Sequence, residues 1–385
     1  MSAGVDGNAA EPVASTTPPL DKIYFYLTQG CNLACRHCWL APKFDPAGSR
    51  YPVLPVAVFE TVIREAKPLG LSGVKLTGGE PLLHPEIVKL LAIVRREELR
   101  LTLETNGVLC TPELAAEIAQ SSPGVCVSVS LDGADRATHE WVRGVPGSFE
   151  QALGGVRNLV AAGIPPQIIM SLMRVNAGQV EAMVRLAQSL GASSVKFNVI
   201  QPTGRGEGVL GGAEGLQVSE LIELGRLVEL KLAPTVPIKL FFDYPMAFRP
   251  LSRLADGAAG GRCGILSILG VLASGEYALC GIGMHVPELT FGMAGQEALA
   301  EVWRDAAALR ELRAGMPDRL TGVCADCIMR AQCFGTCVAQ SYYRTQSLWS
   351  PFWFCEQASA TGQFPPSRMA LPAGSTKSSS EIGFN

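Results

Sequence analysis

Cys31-Asn-Leu-Ala-Cys35-Arg-His-Cys38 follows one short apolar run, Ile23 to Thr28, and Thr77-Gly78-Gly79-Glu80-Pro81 closes a second, Gly73 to Thr77. Both motifs therefore sit where a strand ends and a loop begins. The same rhythm continues outward. Leu99 to Glu104, Val125 to Leu131, Gln167 to Met173 and Ser194 to Ile200 read as further strands, being apolar, β-branched and bounded by Gly or Pro. Between them, Val56 to Ala66, Pro85 to Arg96, Pro112 to Gln120, Ser148 to Ala162 and Ala177 to Leu190 carry helical periodicity. Six such units predict an α/β protein with a partial (β/α)6 TIM-like barrel. In such barrels the reactive groups lie in loops at the C-terminal strand ends, and the motifs obey that rule: Glu104 and Asn106 close the third strand, Ser130 and Asp132 the fourth.

The chain has 385 residues, 48% of them hydrophobic, enough for one large domain and a smaller one. Its 32 basic and 35 acidic residues are dispersed, so no stripe exists to neutralise nucleic-acid phosphates, and no nucleic-acid partner is expected. The N-terminal residues lack a basic n-region and an apolar h-region, and the longest near-apolar run, Ile265 to Ala273, is too short to cross a bilayer. A cytoplasmic protein without a membrane partner is the expectation. The divisions expected are a disordered extension over 1–20, the barrel over 21–215, a linker helix and strand over 216–261, a cysteine-rich domain over 262–364 and a disordered tail over 365–385.

Ten of the twelve cysteines fall into two sets. The front set is the C-x3-C-x2-C loop of Cys31, Cys35 and Cys38. Three thiolates on one loop bind three corners of a 4Fe-4S cube and leave one iron for a ligand from outside the protein. Zinc is the alternative, with His37 as fourth ligand. Disulfides are disfavoured by the absence of an export signal. The Gly78-Gly79-Glu80 turn lets a ligand approach the backbone closely and offers an acceptor to an ammonium group. The back set is Cys263, Cys280, Cys324, Cys327, Cys333, Cys337 and Cys355, for which a zinc knuckle is the bland alternative. The changed composition after Arg262 predicts a domain folded around inorganic clusters instead of a hydrophobic core.

With its C-x3-C-x2-C loop followed one strand later by GGEP, the chain resembles the radical S-adenosylmethionine (SAM) superfamily over strands one to six. The resemblance implies that the open iron chelates the amino and carboxylate groups of SAM, whose reductive cleavage yields a 5'-deoxyadenosyl radical that removes hydrogen from an unactivated C–H bond. It implies that Gly78, Gly79 and Glu80 hold the methionine amine, that Glu104 and Asn106 border the ribose, and that Ser130 and Arg143 reach the ribose and carboxylate. Val199 and Ile200 would then pack on the adenine, or simply in the core.

The seven back cysteines resemble the SPASM extension of radical SAM enzymes, implying a C-terminal iron–sulfur domain. By that pattern Cys324, Cys327, Cys333 and Cys355 fully ligate one auxiliary 4Fe-4S cluster, and Cys263, Cys280 and Cys337 hold another with an open iron. Three clusters per chain are implied in all. Cys110 and Cys126 stay outside the pattern and read first as small hydrophobes. Cys126 alternates with Ser128 and Ser130, so a second reading makes it a hydrogen donor to a substrate radical.

Sulfatase-type maturases place an acidic residue after the cysteine matching Cys280, whereas Gly281 stands here. Tyr26 to Lys43, together with Gln201-Pro-Thr-Gly-Arg-Gly206, looks like maturases of ribosomally made peptides with nif-type or nitrile-hydratase-like leaders. The implied reaction is tyramine excision from a precursor peptide, leaving an α-keto-β-amino amide, with thioether or carbon–carbon crosslinking or epimerisation as alternatives. A non-catalytic metal-bound redox regulator is the reading of another class. Implied partners are the precursor peptide, a separate leader-peptide recognition protein, and an electron donor such as flavodoxin or ferredoxin.

Overall fold

Strand β1 (Lys22–Tyr26) is the centre from which one ten-stranded sheet grows in both directions. On one side follow β2 (Gly73–Thr77), β3 (Arg100–Thr105), β4 (Val125–Ser130), β5 (Gln167–Leu172), β6 (Ser194–Val199) and β7 (Lys239–Asp243), each parallel to its neighbour. On the other side β8 (Ile268–Val271) lies parallel to β1, and β9 (Glu276–Ala278) and β10 (Thr290–Met293) add antiparallel. The computed structural model describes residues 17–255 and 263–370. The end strands of the order are β7 and β10, so the sheet stays open.

The crossovers are helical: α1 (Val56–Ala66), α2 (Ile87–Arg96), α3 (Pro112–Gln120), α4 (Arg136–Arg143), α5 (Ser148–Ala161), α6 (Val180–Ser189) and α7 (Val218–Arg226). Local chemistry fixes their ends. Thr111 caps α3 by accepting from Leu114 N, with Pro112 at the first helical position. Asp135 caps α4 by accepting from Thr138 N, and Gly144 in the left-handed region stops it at Arg143. Two further helices, α8 (Val338–Thr345) and α9 (Trp353–Ala360), belong to the cysteine-rich part.

The six predicted strands stand where the apolar runs put them, within one or two residues. Two expectations change. The strand expected within 216–261 is β7, and instead of linking two domains it is a full member of the parallel sheet, because alternation at Leu240 and Phe242 buries one face of it. The cysteine-rich part also has an ordinary apolar core: Trp303, Leu309, Leu312, Phe352, Trp353 and Phe354 join the same buried cluster as the barrel. Of the extension and tail expected to be disordered, residues 1–16 and 371–385 lie outside the described residues. Those described are packed: Leu20 is fully buried, Pro18 O accepts from Trp303 Nε1 at 2.8 Å, and Arg368 donates to Arg249 O at 3.0 Å. No helix among the described residues is long and apolar enough to cross a membrane.

Candidate active site and cysteine pockets

The cysteine loop is fixed by backbone bonds on every side. Gly30–Cys31 pairs in parallel with Lys43–Phe44, and Asp45 N donates to Cys31 O at 2.7 Å. Ala34 N and Arg36 N donate to the carbonyls at the end of α4, Arg143 O at 3.0 Å and Val142 O at 2.9 Å. The Gln201–Gly206 turn covers the loop from the β6 side. There Arg205 donates Nε to Cys35 O at 2.7 Å, Nη1 to Pro42 O at 3.1 Å and its backbone N–H to Cys38 O at 3.0 Å.

Cys31, Cys35 and Cys38 open onto a 310 Å³ cavity in the barrel mouth. Gly78, Gly79, Glu80, Glu104, Asn106, Ser130 and Arg143 line the same cavity, as do Val199 and Ile200. The strand-end loops thus bring the whole front set together. Several of these side chains are already occupied. The buried Glu80 carboxylate accepts from Thr105 Oγ1 at 2.7 Å and Leu82 N at 3.0 Å on Oε1 and from Asn106 N at 2.8 Å on Oε2, so it braces the β2 and β3 loops while Oε2 keeps acceptor capacity at the cavity. Asn106 Nδ2 donates to Asn32 Oδ1 at 2.7 Å, tying β3 to the cysteine loop. Arg143 pairs with Asp132 at 2.8 Å and donates Nη1 to Cys35 Sγ at 3.5 Å.

Deeper in the barrel the wall is charged. Lys75 and Glu104 pair at 2.6 Å, Lys196 and Asp243 at 3.4 Å, and Lys75 Nζ lies 4.8 Å from the centre of the Tyr24 ring. Burial would raise the Glu104 carboxyl, but Lys75, with Lys196 behind it, holds it below its ordinary value. Sequence reasoning missed Lys75, Lys196, Asp243 and Arg205. The signal available for the two lysines was a charge inside an apolar strand run, at Val-Lys-Leu and Val-Lys-Phe.

Cys126 is elsewhere. It is exposed and borders a separate pocket at the opposite strand ends, with Ala162, Pro165 and Ser193. Alternation puts it on the strand face of Ser130, yet four residues of strand at about 3.3 Å each separate the two. Cys110 is buried in the core.

The back cysteines form two groups. Cys324, Cys327, Cys333 and Cys355 line one small apolar pocket closed by Met329 and Phe364. Between Cys333 and Cys337 the chain turns through three successive positive-φ residues, Phe334, Gly335 and Thr336, which makes so short a reversal possible. Burial and the neighbouring Cys337 push the Cys280 thiol up to about 12, and both of those cysteines also act on Cys263. Lys75 opposes the rise at Cys263 and Cys280, so the charged barrel wall borders this group.

Residues 25–187 match the Radical SAM superfamily. The chain is 30% identical over 357 residues to the AdoMet-dependent heme synthase of Methanosarcina barkeri, spanning 86% of this chain and 95% of that protein. The chain belongs to the radical SAM superfamily. The mycofactocin maturase MftC of Mycobacterium tuberculosis is 28% identical over 334 residues, 86% of this chain and 81% of MftC. SuiB of Streptococcus suis, in a crystal structure with its precursor peptide SuiA, shares the fold with a TM-score of 0.71 at 17% identity, covering 92% of this chain and 84% of that one.

A radical SAM enzyme uses SAM and an iron–sulfur cluster, and the donor set at the barrel mouth fits them. Three cysteines of one loop open together onto the cavity, and a cubane seats each thiolate on a different iron, leaving the fourth iron to a ligand from outside the protein. His37 is held at one nitrogen, its Nε2 lying 3.2 Å from Asp132, while its buried Nδ1 has no hydrogen-bond partner. Burial first and then Cys35 push the Cys31 thiol up, and burial pushes the Cys35 thiol up against the opposing pull of Arg143, a cost that a coordinating cation reverses.

Proposed function

We propose that this radical SAM enzyme matures a ribosomally made precursor peptide, by tyramine excision that leaves an α-keto-β-amino amide. The observation that carries this reading is the seating of the Gln201–Gly206 turn on the cysteine loop through Arg205. These are the two stretches whose sequence looks like peptide maturases, and they act as one unit around the cavity. The similarity to MftC across 86% of the chain supports a peptide substrate. Gly281 weighs against a sulfatase-type reaction, since a Cβ there would stand 2.4 Å from the Tyr26 ring, leaving no room for an acidic side chain.

Cys31, Cys35 and Cys38 would hold the cluster, which when bound would supply the electron for reductive cleavage of SAM. In this reading the chain's own residues bind and orient. The Gly78 and Gly79 backbone admits the methionine end of SAM; Ser130 and Arg143 lie within reach of its ribose and carboxylate; Asn106 borders the ribose. Lys75, Glu104, Lys196 and Asp243 face the substrate. Cys324, Cys327, Cys333 and Cys355 would hold one auxiliary cluster, and Cys263, Cys280 and Cys337 would hold a second, for which the chain offers three thiolates. A leader-recognition protein and a flavodoxin-type or ferredoxin-type electron donor complete the system.

The test is to search the neighbouring reading frames for a short precursor peptide, coexpress it with this chain anaerobically, and follow the product by mass analysis. Loss of tyramine is expected. Loss of two hydrogens assigns crosslinking, and an unchanged mass with altered chirality assigns epimerisation. Iron and sulfide should approach about twelve irons per chain; zinc without sulfide would make the protein a regulator. The similarity to the heme synthase carries a second reading, a heme-forming step. Heme appearing in the pyridine hemochrome spectrum, after incubation with an iron tetrapyrrole precursor, would favour it.

A further inference from the structure

Asp132 is a buried carboxylate beside the cysteine loop, and no step above uses it. It follows β4 and is wholly shielded from solvent. Its Oδ1 accepts from the backbone N–H of Ser171 at 2.7 Å, and its carbonyl accepts from Asn176 Nδ2 at 2.8 Å, so the residue is anchored from β5 and the turn beyond it. Its Oδ2 lies 2.8 Å from Arg143 Nη2 and 3.2 Å from His37 Nε2. The other terminal nitrogen of Arg143 reaches Cys35 Sγ at 3.5 Å. Three elements, the β4 end, α4 and the cysteine loop, meet at this one carboxylate.

A buried carboxylate is retained only when paired, and a buried guanidinium likewise, so each fixes the other. Arg143 donates from a planar fork. With one prong held by Asp132, the second is directed at the sulfur. N–H donors to a cluster's sulfur ligands stabilise its reduced, more negative form and raise its potential.

We propose that Asp132 is a positioning residue, which holds the Arg143 guanidinium on the sulfur of Cys35 and so raises the reduction potential of the cluster borne by the front loop. The proposal rests on the reading of that loop as the cluster's seat. It acts through Arg143 alone, which separates it from a simple charge effect. Removing a negative charge raises a nearby potential, whereas releasing the guanidinium lowers it.

The experiment is an EPR-monitored redox titration of the reconstituted full-length protein without SAM, comparing the parent with Asp132→Asn, Arg143→Lys and the double variant. Both single variants should shift the front cluster to lower potential, and the double variant should lie no lower than Arg143→Lys, while auxiliary signals stay put as an internal measure of folding. An upward shift in Asp132→Asn, or additive shifts in the double variant, overturns the proposal. Should Asp132→Asn not fold, Arg143→Lys decides alone, and an unmoved midpoint overturns it. If the titrated signal survives in the Cys31→Ala, Cys35→Ala, Cys38→Ala chain, the loop is not the seat and both readings fall. If the signal vanishes there but Asp132→Asn leaves the midpoint unmoved, only this inference falls.

Discussion

Gly79 lies directly against the carbonyl of Gly30: a Cβ on Gly79 would stand 1.9 Å from that oxygen and 2.6 Å from its carbon. The same carbonyl accepts from Glu80 N at 3.1 Å, and Gly79 N donates to Thr28 O at 3.0 Å. The loops after β1 and β2 are therefore interlocked through backbone, with no flexible side chain to yield. Gly79→Ala must push the cysteine loop away from the β2 loop. A loss of roughly 1–3 kcal/mol in stability is expected from such overpacking. SAM affinity should fall by about tenfold or more, equivalent to ~1.4 kcal/mol. Anaerobic equilibrium dialysis with SAM and thermal melting measure the two effects; a variant that matches the parent in both removes the interlock from the account.

A second close approach couples Tyr26 to the auxiliary region. A Cβ on Gly281 would meet Tyr26 Cε1 at 2.4 Å, Tyr26 Cζ at 2.6 Å and Leu40 Cδ2 at 2.8 Å. Gly281→Ala should destabilise by roughly 1–3 kcal/mol and loosen the adjoining Cys280. Tyr26→Leu removes the obstructing ring, so Gly281→Ala should cost less in that background. Denaturant melts of the four proteins give the coupling. Equal costs in both backgrounds would show that the ring is not what excludes a side chain.

How much of this was legible before the fold was known depended on whether a residue's chemistry was local. Cys31, Cys35 and Cys38 announce themselves by spacing, and Gly78-Gly79-Glu80 by its place at a strand end; both met at one cavity because parallel strands deliver their C-terminal loops to the same side. Arg143 was legible as a residue but not as a contact. Its partner Asp132 comes from a different strand end, and only the short α4 between them sets the distance. Lys75 and Glu104 lie on neighbouring strands, and their pairing exists only once the parallel register places Lys75 opposite Thr102. The strand expected between 216 and 261 is β7, but its place in the parallel sheet was not legible, because only the fold shows Ser194 to Asn198 pairing with Lys239–Asp243.

Two buried histidines make the fold acid-sensitive. His84 Nε2 bonds Leu54 O at 2.8 Å while its Nδ1 accepts from Glu86 N at 3.1 Å, an arrangement only the neutral ring provides. Burial lowers its pKa, and burial with help from Arg143 lowers His139 to about 4. In the unfolded chain both would titrate near ~6.5. The unfolded state therefore binds more protons below that value, and stability is complete above it and declines as pH falls, for His139 until about 4. The slope expected is roughly 1.4 kcal/mol per pH unit for each histidine. Denaturant midpoints across this range should fall on acidification, and less steeply in His84→Asn; an identical slope in that variant would remove His84 from the explanation.

Cys126 provides a control for the cavity. Its thiol is exposed at the far strand ends, so a mild alkylating reagent should reach it ahead of the buried Cys110. Cys126→Ser should leave deoxyadenosine formation and peptide modification within about twofold of the parent, since surface changes usually fall within ±0.5 kcal/mol. A large loss of product with SAM cleavage intact would instead assign it a hydrogen-donor role.

The Lys75–Glu104 pair offers a test of what the charged wall does. Each member faces the cavity and the two are 2.6 Å apart, with Lys75 also resting on Tyr24 and bordering Cys263 and Cys280. Lys75→Met leaves Glu104 with only the more distant Lys196 to offset its charge, and Glu104→Gln leaves Lys75 facing thiols and a tyrosine ring. The Glu104 side chain is 38% exposed and that of Lys75 19%, so either single change should cost well below the roughly 3–5 kcal/mol of a fully desolvated pair, on the order of 1 kcal/mol. The double variant should recover part of that loss, because it leaves no orphaned charge. If the wall also orients substrate, the double variant will regain stability without regaining peptide turnover, while SAM cleavage uncoupled from peptide persists. Recovery of both together would make the pair a structural brace alone, and recovery of neither would mean that Lys75 is held chiefly by the cysteine group beside it.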